Sequence, residues 1–252
     1  MQAKRNKKLF GKRKGDKIKL MNSHRNTDAL AKITKDRHRT NILRKYEQNF
    51  IAFLVQRIPS WINSDALTAI GLAGSFITAA GFVLAAYFQR SFLLLGILGF
   101  VVNWFGDSLD GRLAYFRNKP RKWYGFSLDF TVDWITNILI GTGFIVYVNG
   151  PWKLLGFGFV VLYGWAMMMA LLRYKIIGIY TIDSGPLGPT EVRIIISAIL
   201  ILEVLLPGSI IYSGILVCIT LLIVNIIDFS KLLKMADLKD KEERAAKLNS
   251  TD

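Results

Sequence analysis

The sequence predicts an all-α integral membrane protein: six transmembrane helices preceded by an N-terminal amphipathic interfacial helix. Hydrophobic residues make up 52% of the 252 residues. They are concentrated in apolar runs, most of which approach the length of about 20 residues that a helix needs to cross a bilayer. A soluble domain of this size would bury one core and would not repeat such runs. The class of protein indicated is therefore a polytopic membrane protein.

The positive charge of the chain lies mainly outside the apolar runs. The formal net charge is +15, and residues 1–39 form a basic tail that its composition predicts to be disordered. Such a tail suits anionic lipid headgroups, where each basic residue contributes about 1 kcal/mol. No nucleic-acid motif accompanies the charge, so nucleic-acid binding is not expected. A single cysteine, Cys218, excludes an intrachain disulfide.

The amphipathic helix is predicted from residue 40 to residue 58, directly before Pro59. Apolar and polar side chains alternate there with helical spacing, which is typical of a helix that lies in the membrane interface. The apolar residues are Ile42, Leu43, Tyr46, Phe50, Phe53, Leu54 and Ile58, opposite Arg44, Lys45, Glu47, Gln48 and Gln56.

Six apolar spans are predicted after this helix. Pro189, with Glu191 two residues later, predicts the start of the fifth, because proline suits the first position of a helix and an acidic residue suits its first turn. The chain is thus divided into the tail 1–39, a membrane domain 40–230 and a charged C-terminal tail 231–252. The six spans are residues 67–88, 92–106, 125–148, 152–172, 192–206 and 210–227.

An even number of spans places both termini on one side of the membrane. The basic tail, the loop 117–122, the segment 173–193 and the C-terminal tail fall on that side and carry nearly all the charge. Positively charged loops remain in the cytoplasm. The sequence therefore predicts a protein of the cytoplasmic (inner) membrane with both termini in the cytoplasm.

Four aspartates lie at the cytoplasmic ends of the second and third spans. Asp107 and Asp110 are three residues apart, and Asp129 and Asp133 are four apart, so each pair shares a helix face. If the two helices are antiparallel, the carboxylates converge and need a compensating charge. Mg²⁺ or Mn²⁺ supplies it through oxygen ligands, and two such ions can act together in phosphoryl transfer.

The residues around the aspartates fit the same chemistry. Gly111 follows Asp110, and Gly125 lies one helical turn before Asp129, so both leave backbone accessible to a phosphate. The intervening loop is basic and offers charges for a pyrophosphate or an acidic acceptor. Its basic residues are Arg117, Lys119, Arg121 and Lys122.

The order Asp-x-x-Asp-Gly-x-x-Ala, then Gly-x-x-x-Asp-x-x-x-Asp, resembles the signature of the CDP-alcohol phosphotransferases, also called CDP-alcohol phosphatidyltransferases. Asp65 and Thr68 are similar to a Pro-Asn-x-x-Thr element that the family has near the nucleotide, although Ser64 and Asp65 replace its Pro and Asn. The resemblance covers about residues 40–230. The signature residues here are Asp107, Asp110, Gly111, Ala114, Gly125, Asp129 and Asp133.

The resemblance implies a phospholipid-synthesising transferase that is active on the cytoplasmic side and forms a homodimer. Asp107, Asp110 and Asp129 would hold the metal ions over the pyrophosphate of a CDP-linked donor such as CDP-diacylglycerol. Asp133, also near a metal, would accept the proton of an acceptor alcohol, and CMP would leave. The implied substrate contacts are Asp65, Thr68, Gly111, Ala114, Arg117, Arg121 and Gly125.

Two departures from the family pattern concern the loop. Tyr115 occupies the position where the family usually has arginine, with Arg117 two residues later as its candidate substitute. The stretch between Ala114 and Gly125 is also one residue longer than usual. The sequence leaves the acceptor open between an inositol phosphate, a glycerol phosphate and an amino alcohol, and it does not decide whether donor or acceptor carries the lipid.

Other interpretations remain for these features. The aspartates can be helix caps or interfacial charges, the sites of an ion-coupled transporter, or remnants in a catalytically inactive scaffold. Asn103 either lines the cavity or packs between helices, and Glu203 is either functional or a buried hydrogen-bonded group. Arg173, Lys175 and Arg193 are either cytoplasmic charges or contacts for an acidic acceptor.

Overall fold

The computed structural model describes residues 44–177 and 188–249, and the regular elements within these residues are all helical. The predicted tail 1–39 lies outside the described residues. Two short 3₁₀ helices, Arg90–Phe92 and Gly150–Trp152, precede longer α-helices. The α-helices are α1 (Arg44–Val55), α2 (Ser64–Tyr87), α3 (Leu93–Phe116), α4 (Lys122–Tyr147), α5 (Lys153–Ile177), α6 (Pro189–Leu205) and α7 (Ser209–Asn249).

Five of these helices are long and apolar enough to cross a membrane, namely α2, α3, α4, α5 and α7. The predicted all-helical membrane class is confirmed at this level. Helix α6 begins at Pro189, as the sequence predicted, but it has only 17 residues. That length is at the lower limit of about 17–25 residues for a span. The predicted span at residues 192–206 therefore stays a prediction.

Helices α2 and α3 approach each other closely because glycines line their contact. The Cα of Gly106 lies against the backbone of Leu67 and Gly71, and the position of Gly99 lies against Gly74 and Thr78. Small residues allow two helix backbones to pack in this way within a membrane. Helix α2 also packs against α4. It thereby braces the two helices that carry the aspartates.

Helix α1 packs one face against the ends of α2 and α3. Its Ile51, Ala52 and Val55 are buried with three leucines, Leu67, Leu109 and Leu113. Tyr46, Phe50 and Phe53 are exposed. Glu47, predicted on the polar face, is buried and accepts a 2.9 Å hydrogen bond from Thr190 of α6. The location of α1 at the membrane interface stays a prediction.

Polar contacts join the C-terminal end of α5 to the middle and the C-terminal half of α7. Arg173 forms a 3.2 Å ion pair with Asp228, and the Lys239 ammonium donates to the carbonyl of Ile176 at 2.6 Å. Helix α7 continues without interruption to Asn249. Residues 231–249, which the sequence assigned to a charged C-terminal helix or tail, are therefore a continuation of helix α7.

The opposite end of the fold is closed by Glu203 at the turn between α6 and α7. Gly208 has φ of 88° there, a conformation that favours glycine. The Glu203 carboxylate accepts hydrogen bonds from the Tyr147 hydroxyl at 2.8 Å and from the N–H groups of Gly208 and Ile210 at 3.1 and 2.9 Å. It satisfies backbone donors at the start of α7, which is a structural role.

Candidate metal centre

Helix α3 carries Asp107 and Asp110 because it does not end where the apolar span ends. It continues from residue 106 to Phe116. Leu109 and Leu113 are fully buried against α1, which explains why the polar turns of this segment remain helical. The two aspartates therefore occupy consecutive turns of one rigid element.

Helix α4 begins at Lys122, about one turn before the predicted start at residue 125. The loop from α3 to α4 is short, and Asn118 adopts a positive φ of 55° within it, a conformation that asparagine tolerates better than most residues. Lys119 donates its N–H to the carbonyl of Ala114 at 2.9 Å, which closes the end of α3. Asp129 and Asp133 thus lie within the first four turns of α4.

Asp107, Asp129 and Asp133 converge from these two helices. Each offers one carboxylate oxygen, and the three oxygens lie within 4.8 Å of one another. All three residues are partly buried. Carboxylate oxygens are the hard ligands that Mg²⁺ and Mn²⁺ prefer, so these residues fit a divalent cation.

Asp110 is not a member of this group of three. It is buried, and its Oδ2 accepts a 2.7 Å hydrogen bond from the Thr68 hydroxyl of α2. The hydroxyl of Ser64 donates to the backbone carbonyl of Asp110 at 2.5 Å. The segment from Ser64 to Thr68, compared above with the nucleotide element of the family, therefore lies directly beside the second aspartate of the signature.

Arg193 of α6 supplies a positive charge to the centre. Its Nη2 donates to Asp107 Oδ2 at 2.6 Å, and its Nε donates to Asn103 Oδ1 at 2.8 Å. Its Nη1 is buried and has no hydrogen-bond partner among the described residues. Arg193 thus contributes one positive charge beside three converging carboxylates.

Two residues of the centre were not assigned to it from the sequence. The sequence left Arg193 between a cytoplasmic charge and a contact for an acidic acceptor, and it left Asn103 between cavity lining and packing. A charged residue one turn into an apolar helix was a signal for Arg193.

The two arginines of the loop between α3 and α4, which the sequence predicted to contact substrate, both bind other parts of the protein. The guanidinium of Arg117 donates to backbone carbonyls of the connection between α1 and α2, at 2.5 Å to Ile62 and 2.8 Å to Pro59. Arg121 forms an ion pair with Asp65, and its guanidinium stacks over the Tyr124 ring at 4.1 Å. Arg117 thus has a structural function here, while Arg121 and Asp65 are half-exposed and contact each other.

The small residues of the signature differ in their surroundings. Gly125 is exposed, and in the described part of the chain no atom other than those of its sequence neighbours and its own helix backbone lies within 4 Å of the position that a Cβ would occupy. Gly111 and Ala114 are partly buried on α3. Open space at Gly125 is what the approach of a substrate to the backbone would require.

Models of known protein families give no match to this chain, and no curated protein matches it either.

Proposed function

We propose that the chain is a divalent-metal-dependent CDP-alcohol phosphotransferase that synthesises a phospholipid. It would transfer a substituted phosphate from a CDP-linked donor, such as CDP-diacylglycerol, to an alcohol hydroxyl and release CMP. The observation that carries the proposal is the convergence of Asp107, Asp129 and Asp133 within 4.8 Å, on helices whose aspartate spacing resembles that of the family.

The proposal extends to the topology. Helix α6 would be a sixth span, and α1 would lie in the interface with its exposed Tyr46, Phe50 and Phe53 towards lipid. Both termini and the aspartates would face the cytoplasm in the inner membrane, where the basic residues of the loops are favoured. The active protein would be a homodimer.

The four aspartates would have different roles. Asp107, Asp110 and Asp129 would hold one or two Mg²⁺ or Mn²⁺ ions, with Asp133 beside them. A bound divalent cation would supply positive charge close to the donor phosphates. Both Asp110 oxygens already accept a hydrogen bond, Oδ2 from the Thr68 hydroxyl and Oδ1 from the N–H of Gly111, so a metal ion would use a remaining lone pair.

Asp133 would act as the general base. Its carboxylate would accept the proton of the acceptor hydroxyl, whose oxygen would attack the phosphorus beyond the cytidylate. The bond from that phosphorus to the cytidylate oxygen would break, and CMP would leave with its electron pair. Ser64 and Thr68, in the first turns of α2, would lie towards the nucleotide. Arg121 and Gly125 would lie at the open side of the centre.

The decisive experiment follows CMP release from cytidine-labelled CDP-diacylglycerol. The purified protein is reconstituted in vesicles with Mg²⁺ or Mn²⁺ and a panel of alcohols that includes an inositol phosphate, a glycerol phosphate and an amino alcohol. We expect CMP release with one acceptor. Replacing Asp133→Asn should reduce the rate at least about 100-fold, the usual contribution of a general base.

Asp237→Asn is the matched control. Asp237 is an exposed aspartate of α7 that pairs with Lys241 at 2.8 Å, so its replacement should leave CMP release unchanged. An unaltered rate in the Asp133→Asn protein would contradict the proposed enzyme. A folded wild-type protein that releases no CMP with any acceptor would favour the inactive scaffold.

Removal of the metal gives an independent prediction. Treatment with a chelator should abolish CMP release, and added Mg²⁺ or Mn²⁺ should restore it, whereas Ca²⁺ should restore it poorly because it prefers a larger and less regular oxygen shell. CMP release that persists after exhaustive chelation would show that the aspartates do not act through a metal.

A further inference from the structure

A buried chain of polar side chains lies beneath the aspartates and links four helices. The Asn103 amide donates to the Gly71 carbonyl and to the Ser75 hydroxyl, each at 3.0 Å. The Ser75 hydroxyl is 2.7 Å from that of Thr136. Asn103 and Ser75 are only 2% and 1% exposed. A buried amide in an apolar bundle is costly unless it is fully hydrogen-bonded, and here it is.

The side-chain carbonyl oxygen of Asn103, Oδ1, is directed towards α6. Both amide hydrogens point to α2, towards Gly71 and Ser75, so Oδ1 faces α6. There it accepts the Nε–H of Arg193 at 2.8 Å. Asn103 lies one helical turn before Asp107 on α3. The asparagine is thus a fixed support between α2 and the arginine of another helix.

The Arg193 guanidinium, which Asn103 holds in place, in turn orients the carboxylate of Asp107. It is planar, so fixing Nε also fixes the direction of the two terminal nitrogens. Its Nη2 is 2.6 Å from Asp107 Oδ2, and the ion pair is largely buried, with side chains 14% and 22% exposed. Hydrogen bonds from outside the ligand set are known to orient metal-binding carboxylates and strengthen metal affinity.

We propose that Asn103 and Arg193 act together as positioning residues that hold the carboxylate of Asp107 in the orientation needed for divalent-metal binding. Asn103 acts only through Arg193, since the side chain of Asn103 makes no described hydrogen bond to Asp107. This inference rests on the proposed function to the extent that Asp107 is a metal ligand.

A double-mutant cycle on metal binding tests the proposal. Mn²⁺ binding to the purified protein in detergent is measured by electron paramagnetic resonance of the free ion, without any substrate. Asn103→Leu and Arg193→Met should each weaken Mn²⁺ affinity about 10- to 100-fold, the usual effect of removing a residue that supports a ligand. The double variant should bind no more weakly than the weaker of the two single variants.

Asn225→Leu is the matched control for loss of a buried asparagine. Asn225 is 1% exposed and donates its amide to the Leu162 carbonyl at 2.8 Å, remote in sequence from the aspartates. Its replacement should lower the unfolding temperature without a change in Mn²⁺ affinity. Arg193→Lys keeps the charge but loses the paired donors, so it should give an intermediate loss.

Four results would overturn the proposal. The first two are additive losses of Mn²⁺ affinity in the double variant and full Mn²⁺ affinity in the Asn103→Leu protein. The third is tighter Mn²⁺ binding by the Arg193→Met protein, which would mean that Arg193 competes with the cation. The fourth is a loss of Mn²⁺ affinity in the Asn225→Leu protein equal to that in Asn103→Leu. If Asn103→Leu does not fold, Asn103→Ser keeps an oxygen acceptor of smaller size and replaces it in the cycle, with the same expectation of no additional loss beside Arg193→Met.

Failure of the proposed function would be recognised separately. A wild-type protein without Mn²⁺ affinity contradicts the metal centre itself. In that case the wild type, the two single variants and the double variant are compared by thermal unfolding. Non-additive shifts of the unfolding temperature support the positioning pair of Asn103 and Arg193, and additive shifts overturn it. A protein that binds Mn²⁺ but releases no CMP would contradict the transferase and leave the positioning pair supported by the cycle.

Discussion

The buried carboxylate of Asp110 depends on its neighbours on α2. A buried charged group is stable only when donors surround it. The Thr68 hydroxyl is one of these donors, at 2.7 Å, and the Ser64 hydroxyl bonds to the backbone carbonyl of the same residue. Arg117 in turn supplies donors to the backbone, because its guanidinium bonds to the carbonyls of Ile62 and Pro59 between α1 and α2.

Substitution of Thr68 tests this dependence. Thr68→Ala should lower the free energy of unfolding by about 1–3 kcal/mol, because it leaves a buried carboxylate without one of its hydrogen bonds. Thr68→Ser retains the hydroxyl and should cost much less. Denaturant unfolding in detergent, followed by tryptophan fluorescence, measures both. Equal losses in the two variants would mean that the methyl group matters and the hydrogen bond does not.

The packing of α2 against α3 determines where the aspartates lie. Glycines allow the two helix axes to come close, and this brings Thr68 within reach of Asp110. Helix α4 packs on α2 as well, which places Asp129 and Asp133 on the same side. The geometry of the candidate centre is thus a consequence of how α2 packs against α3 and α4.

Two glycine substitutions should have opposite effects. A Cβ at Gly106 would collide with backbone atoms of Gly71 and Leu67, so Gly106→Ala should destabilise the protein by about 1–3 kcal/mol and weaken Mn²⁺ binding. Gly125→Ala meets open space on a helix and should leave stability unchanged or raise it by up to about 1 kcal/mol.

Thermal unfolding and CMP release are measured on both proteins. If a substrate approaches the backbone at Gly125, the Gly125→Ala protein loses CMP release while it keeps its stability. Normal unfolding of the Gly106→Ala protein would contradict the close approach of α2 and α3.

On the scale of the whole molecule, the fold has two polar ends separated by an apolar layer. One end carries the aspartates, Arg193 and the extension of α7, and the other is closed by the hydrogen bonds of Glu203. In the described part of the chain, the segment 117–122 at the aspartate end carries four basic residues, whereas the segments 88–92 and 148–153 at the opposite end carry Arg90 and Lys153. This asymmetry predicts the orientation in the membrane.

Thiol labelling of intact cells tests the orientation. In a Cys218→Ser background, a membrane-impermeant maleimide should label Gln89→Cys, in the exposed loop between α2 and α3, from outside. It should label Lys119→Cys, in the exposed loop between α3 and α4, only after the cells are permeabilised. Labelling of Lys119→Cys in intact cells would reverse the predicted topology.

The sequence by itself determined the helical membrane class, the start of α6 at Pro189 and the placing of Asp107 and Asp110 on one helix and of Asp129 and Asp133 on the next. These features depend on local periodicity, which can be read along a single helix. The helix ends were less predictable, because burial of Leu109 and Leu113 under α1 keeps α3 helical beyond its apolar run.

Only the tertiary structure decided which side chains meet. It grouped Asp107 with Asp129 and Asp133, paired Asp110 with Thr68, buried Glu47 against Thr190 and placed Arg193 on Asp107 and Asn103. These partners are separated by tens of residues to more than a hundred in the chain. The relative positions of helices follow from packing of their faces, which no local sequence pattern specifies.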